Sequence, residues 1–193
     1  MPLLSPNSPN SPTQKPSHCG AIQPVHPQSS FFTILGFSDA TFAIDQKDLK
    51  LRFHNLQKQV HPDKQAHLDE KERIYSDKQS TFLNKAYQTL RSPLSRAKYL
   101  LHLNGIHIDE GDSKTGMSPT DLMRIMDIWE AIEEVSSKSD LDVLVRENEE
   151  RIAKEIEILA KVFPEGDLVK AKEATVRLQY WNSLKQRLND VEF

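Results

Sequence analysis

At 193 residues, with 37% hydrophobic and 27% charged side chains, the chain suits one compact domain or two small ones around a modest core. A net charge of -3 gives no global reason to expect nucleic-acid or membrane binding, and no apolar run approaches the roughly 20 residues of a membrane span. Cys19 is the only cysteine, so an intramolecular disulfide is excluded and a reducing compartment is the default.

Residues 1–30 hold seven of the eleven prolines, no acid, and Lys15 as the sole cation. Such a stretch cannot bury enough apolar area to offset its conformational entropy, so a disordered leader is expected. Its Ser-rich, acid-poor composition partly fits a transit peptide, but these are usually Arg-rich and amphipathic, and the prolines block a helix.

The ordered part opens at Phe31-Phe32-Thr33-Ile34-Leu35-Gly36-Phe37, read as one or two helical turns closed by Gly36. Asp45 is a good N-cap with Asp48 three positions on, in the manner of a capping box. Leu49, Phe53, Leu56 and Val60 then make one apolar helix face, flanked by Lys47, Lys50, Arg52, Lys58 and Lys64. Pro62 disfavours helix at the residue before it, so this helix should stop near Val60 and present His61-Pro62-Asp63 on a loop.

Residues 64–77 are polar and read as loop; a third helix is predicted over 77–90, with Phe82, Ala86 and Leu90 buried and Leu83 and Tyr87 beside them. A fourth runs from Leu94 to Leu103 with Ala97, Leu100 and Leu101 inward, ended by Asn104-Gly105. Residues 105–117 hold three glycines and little apolar pattern, which places a domain boundary there.

Ser118-Pro119-Thr120-Asp121 is a strong helix start, so a fifth helix runs to about Val135. A sixth covers 140–162, Phe163-Pro164-Glu165-Gly166 turns the chain, and a seventh spans 167–190 with Ala174, Leu178, Trp181, Leu184, Leu188 and Val191 inward. Short connections make these three an antiparallel bundle. The fold is expected to be all-α and L-shaped: leader 1–30, a helical hairpin domain over 31–104, linker 105–117 and the bundle over 118–193.

A basic amphipathic helix stopped by His61-Pro62-Asp63 resembles a J-domain. As chemistry the loop suits protein recognition: Asp63 can offer a carboxylate to an arginine across an interface, and Pro62 limits the entropy lost on docking. An enzyme built on His61 and Asp63 would need a pocket and an orienting partner, and neither a nucleophile motif nor a Gly-rich phosphate loop accompanies them.

Leu51-Arg52-Phe53-His54-Asn55-Leu56-Gln57, Leu83-Asn84-Lys85-Ala86-Tyr87-Gln88-Thr89-Leu90, Ser92-Pro93-Leu94-Ser95-Arg96-Ala97-Lys98-Tyr99-Leu100-Leu101 and Leu178-Gln179-Tyr180-Trp181 extend the resemblance. Together with residues 31–36 they are similar to the HscB family, the J-type co-chaperones of iron–sulfur cluster biogenesis.

The resemblance implies a protein that is not an enzyme. Its J-domain would dock on a DnaK-type chaperone and stimulate ATP hydrolysis through His61, Pro62 and Asp63, with Lys50, Arg52 and Lys58 facing the chaperone. Its bundle would bind the iron–sulfur scaffold protein through Leu122, Arg124, Met126, Asp127, Glu130 and Tyr180. The fifth helix carries more apolar residues than one buried stripe requires, and Leu122, Met126 and Trp129 form a stripe suited to a partner groove, although such spacing usually marks core.

A monomer in the mitochondrial matrix, without nucleic acid, membrane or cofactor, is the family expectation; the leader departs from it. Animal members carry paired Cys-x-x-Cys zinc motifs that Cys19 alone cannot supply, and His18, His26, His54, His67, His102 and His107 show no ligand spacing, so no metal is expected. A J-protein with another client, or a helical adaptor indifferent to any chaperone's ATPase, remain as alternatives.

Overall fold

The structure is a computed structural model that describes residues 30–58, 70–108 and 118–191, the side chains of 70–72 excepted. These residues form seven helices and no strand. The leader, His61-Pro62-Asp63, Cys19 and residues 109–117 of the expected linker lie outside the described residues.

Helix α1 (Phe31–Ile34) is capped by Ser30, whose hydroxyl accepts the Thr33 N–H, and the chain leaves it through Gly36 at φ 76°, a left-handed conformation that favours glycine. Helix α2 (Gln46–Gln57) starts at Asp45, whose carboxylate accepts the Lys47 N–H at 2.8 Å. The reciprocal half of the expected capping box goes elsewhere: Asp48 takes the Arg52 Nε–H at 2.8 Å, one turn on. Leu49 of α2 is fully buried, and Phe53 stacks on Tyr87 with ring centroids 4.1 Å apart.

Helix α3 spans Glu70–Arg91 and so begins seven residues before the predicted start. Its first turns project Ile74 and Tyr75 into solvent, so no apolar stripe announces them; straight-chain charged residues of good helix propensity build them instead. The buried stripe is Leu83, Ala86 and Leu90, one position round from the expected one, while Phe82 is half-buried with its ring edge-on to Phe31. Gln57 donates to Asn84 at 2.8 Å and so holds the end of α2 against α3.

Helix α4 (Pro93–Leu103) begins as its sequence dictates, with Ser92 as cap and proline at the first position. Ala97, Leu100 and Leu101 are buried as expected, and so is Arg96.

Helix α5 (Pro119–Glu133) is capped by Ser118, and α6 (Lys138–Glu165) by Ser137. Helix α6 runs three residues past the predicted end, because Pro164 sits in the last turn rather than breaking it; Gly166 at φ 73° then stops it, and the Asp167 N–H returns to the Val162 carbonyl. Helix α7 (Leu168–Asn189) follows at once and packs along α6 as a hairpin.

Two hydrophobic clusters hold the molecule. The smaller joins Ile125, Ile128 and Ile132 of α5 to Trp181, Leu184 and Leu188 of α7. The larger draws from both sides of the expected boundary: Leu49, Leu90 and Leu101 share it with Leu159 and Val162 of α6 and Ala171, Ala174 and Leu178 of α7.

Helix α4 lies on α7, with Ala97, Ala171 and Ala174 all fully buried in that cluster; their small side chains let the two helices approach closely. Phe42, in the segment between α1 and α2, is buried between the Arg96 guanidinium at 4.9 Å and the Phe163 ring at 5.5 Å. The N-terminal helices and the bundle therefore share one core.

Candidate functional site

Two surfaces contain the predicted site residues that the structure describes. On α2, Lys50 is exposed, and Lys58 is exposed at the C-cap that leads toward the His61-Pro62-Asp63 segment. Arg52 is placed differently. Its guanidinium bonds Asp48, donates to the Gly36 carbonyl and lies 4.6 Å from the centre of the Phe37 ring, so it ties α2 to the turn after α1.

The second surface is on the bundle. Helix α5 turns Ile125, Ile128 and Ile132 inward, each under 9% exposed. That burial occupies one stripe, and the remaining apolar residues fall on the outer side: Met123 is 68% exposed, Met126 62%, and Leu122 and Trp129 nearly 40% each. Fully covering a side chain of this size contributes about 1.5–3 kcal/mol, so an exposed apolar ridge is a surface poised for a partner.

Arg124, Asp127 and Glu130, also exposed, recur every three residues along α5 and give the ridge a charged border. Tyr180 joins from α7 through its hydroxyl, which accepts the Trp129 indole N–H. Burial holds that hydroxyl above the usual tyrosine range, with the indole bond working in the opposite direction, so it is neutral at physiological pH.

Helices α5, α6 and α7 also enclose a charged cleft, lined by Asp121, Arg124, Arg151, Lys154, Glu155 and Arg177 among others. Glu155, more than nine-tenths buried, accepts from Arg177 Nε at 3.0 Å. Burial opposes the Arg177 charge, but the bond to Glu155 and the nearby carboxylates outweigh it and hold the guanidinium's pKa above the ordinary arginine value. The sequence reading missed this pair because its members lie 22 positions apart on different helices.

His102 and His107 meet Nδ1 to Nδ1 at 3.3 Å, across the turn that ends α4. Among the described residues no three His, Cys, Asp or Glu side chains gather as they would around a metal ion, and no helix is long and apolar enough to cross a membrane.

Residues 30–99 match the DnaJ domain, and residues 117–189 match the HSCB C-terminal oligomerisation domain. The mouse (Mus musculus) iron-sulfur cluster co-chaperone protein HscB is 34% identical over 175 residues, a match covering 89% of this chain and 73% of the mouse protein. The chain belongs to the HscB family. Its fold agrees with HscB structures: the crystal structure of human co-chaperone protein HscB superposes with a TM-score of 0.87 at 29% identity, over 95% of this chain and 93% of that one. The Jac1 co-chaperone from Saccharomyces cerevisiae superposes at 0.72 and 27% identity, over 87% of this chain and 97% of its own. HscB-family membership supplies both a J-domain and a family-specific bundle, and the ridge on α5 belongs to the second.

Proposed function

We propose that this HscB-family co-chaperone binds the iron–sulfur scaffold protein on the α5 ridge, delivers it to a DnaK-type chaperone and stimulates that chaperone's ATPase. The observation that carries the reading is the apolar ridge of Leu122, Met126 and Trp129, left uncovered on a bundle that shares its core with a J-domain. Family membership supports the chaperone half, for which we take His61, Pro62 and Asp63 as the docking signature, with Lys50 on α2 and Lys58 at its C-cap beside it and Arg52 fixing that helix.

Mechanistically the chain is a tether with no chemistry of its own. Binding client and chaperone at once turns their encounter into an intramolecular event and raises the effective concentration of client at the chaperone. The shared core makes that tether stiff: α4 of the N-terminal half lies directly on α7 of the bundle, so the client surface is held at a fixed distance from α2. A monomer working in the mitochondrial matrix fits this role.

Calorimetric titration of the chain with an iron–sulfur scaffold protein tests the client assignment. Micromolar or tighter binding is expected from the parent and should be lost when Leu122, Met126 and Tyr180 are all alanine. A folded parent that does not bind the scaffold would refute the assignment.

A further inference from the structure

Helix α4 ends in a turn that folds the chain back on its last residues. The Gly105 N–H bonds the His102 carbonyl and the Ile106 N–H bonds the Leu101 carbonyl, each at 2.9 Å. The Asn104 side-chain amide donates to the Leu100 carbonyl at 2.8 Å. Leu101 is fully buried, and Ile106 and Ile108 both pack against the larger core cluster. His102 and His107 therefore project from a backbone anchored on both sides of the turn, and both are exposed.

Their Nδ1 atoms are 3.3 Å apart. An N–H donor usually sits about 2.7–3.2 Å from its acceptor, so the contact is long for a hydrogen bond. Two nitrogens each about 2.0–2.1 Å from one tetrahedral ion lie about 3.3–3.4 Å from each other, which is the separation found here. The rings do not meet head-on either. Their planes are inclined at 68° and their centres are only 4.9 Å apart, whereas a straight line through both nitrogens would add a ring radius at each end. That tilt leaves both Nδ1 atoms room to face a common point in solvent.

A neutral imidazole presents one bare nitrogen, which binds Zn²⁺, Ni²⁺ and Cu²⁺ well and the oxygen-seeking Mg²⁺ and Ca²⁺ poorly. The four residues between the pair fall within the spacing of about three to five that separates histidine ligands in zinc fingers. In the sequence that spacing gives no metal expectation on its own, because no cysteine pair accompanies it.

We propose that His102 and His107 form an open, two-histidine site for a divalent transition ion such as Zn²⁺. Among the described residues no third His, Cys, Asp or Glu completes the set, which leaves the remaining positions to water. A structural zinc site is closed by four protein ligands; with two, the ion stays exchangeable and does not hold the fold. The site is independent of the client and chaperone assignments.

The test is equilibrium dialysis of the full chain against Zn²⁺ at neutral pH, with Ni²⁺ and Mg²⁺ in parallel. It compares the parent with His102→Ala, His107→Ala, the double variant and the control His54→Ala, an exposed histidine on α2. Because these side chains are exposed, metal-free thermal melts should be unchanged. His102→Asn and His107→Asn repeat the comparison if an alanine shifts one.

Each single variant should lower Zn²⁺ affinity by about tenfold or more, because the second imidazole binds intramolecularly only while the first holds the ion. The double variant should lose no more than either single one. His54→Ala should match the parent, Ni²⁺ should follow the same pattern, and Mg²⁺ should not bind. Parent-strength Zn²⁺ binding in either single variant would overturn the site. So would single losses that add up in the double variant, since the two histidines would then bind separately. A loss of the same size in His54→Ala would overturn it too, as would a parent that binds no Zn²⁺ or binds Mg²⁺ as tightly.

Discussion

The Trp129 indole N–H donates to the Tyr180 hydroxyl and so joins α5 to α7 on the exposed side of the bundle, across 51 residues of sequence. Trp129 is itself well exposed, so the bond does not seal a core. It fixes two aromatic side chains beside Met126, which gives an adaptable apolar ridge one rigid edge.

Tyr180→Phe keeps the ring and removes only that acceptor. It should cost about 1 kcal/mol in urea unfolding and weaken the scaffold several-fold. The hydroxyl's folded pKa is raised, so the stability it contributes is complete below the unfolded value near 10 and is lost as pH rises through the folded one. An unfolding titration from about pH 8 to 11 should show this loss in the parent and a shallower one in the phenylalanine variant.

Adjacent positions on α5 should separate binding from folding. Met126→Ala removes a side chain that is 62% exposed, so stability should change by less than about 0.5 kcal/mol while scaffold affinity falls. Ile125→Ala, one residue away and 7% exposed, should cost about 2–4 kcal/mol in denaturant melts. Equal destabilisation by both would mean that the ridge is core.

Arg96 carries a buried charge that is balanced by a carbonyl and a ring. Its guanidinium donates to the Leu90 carbonyl at the end of α3 and lies over Phe42, and burial lowers its pKa to about 10. Arg96→Ala should cost about 2–4 kcal/mol by orphaning the carbonyl and opening space beside Phe42; Arg96→Met, which keeps the volume, should cost less. Because the lowered pKa still lies near 10, the group is charged in both states at neutral pH, and its penalty is relieved only as pH rises above that value. The shape of the stability profile between about pH 5 and 8 should therefore be the same in Arg96→Met and the parent.

What could be read in the sequence was local. Ser92-Pro93 and Ser118-Pro119 announce helix starts by capping chemistry, whereas the apolar surplus of α5 fits either an outward ridge or a wide core, and only the family resemblance favours the ridge. The early turns of α3 escaped because solvated turns leave no apolar period, and the end of α6 was set too early because a last-turn proline looks like a break. Arg52 looked like a free surface cation because its carbonyl partner, Gly36, is 16 residues away. The cleft was invisible for the same reason: the hairpin of α6 and α7 creates the contact between Glu155 and Arg177.

The most direct test of the tether is the ATPase rate of a DnaK-type chaperone, measured with the chain alone, with scaffold alone and with both. The chain should stimulate hydrolysis, and adding scaffold should raise the rate beyond the sum of the separate effects. His61→Gln and Asp63→Ala should abolish stimulation while still binding scaffold. The triple alanine variant at Leu122, Met126 and Tyr180 should keep the chain's own stimulation and lose the scaffold's addition. Full stimulation by Asp63→Ala, or a parent rate indifferent to scaffold, would contradict the account.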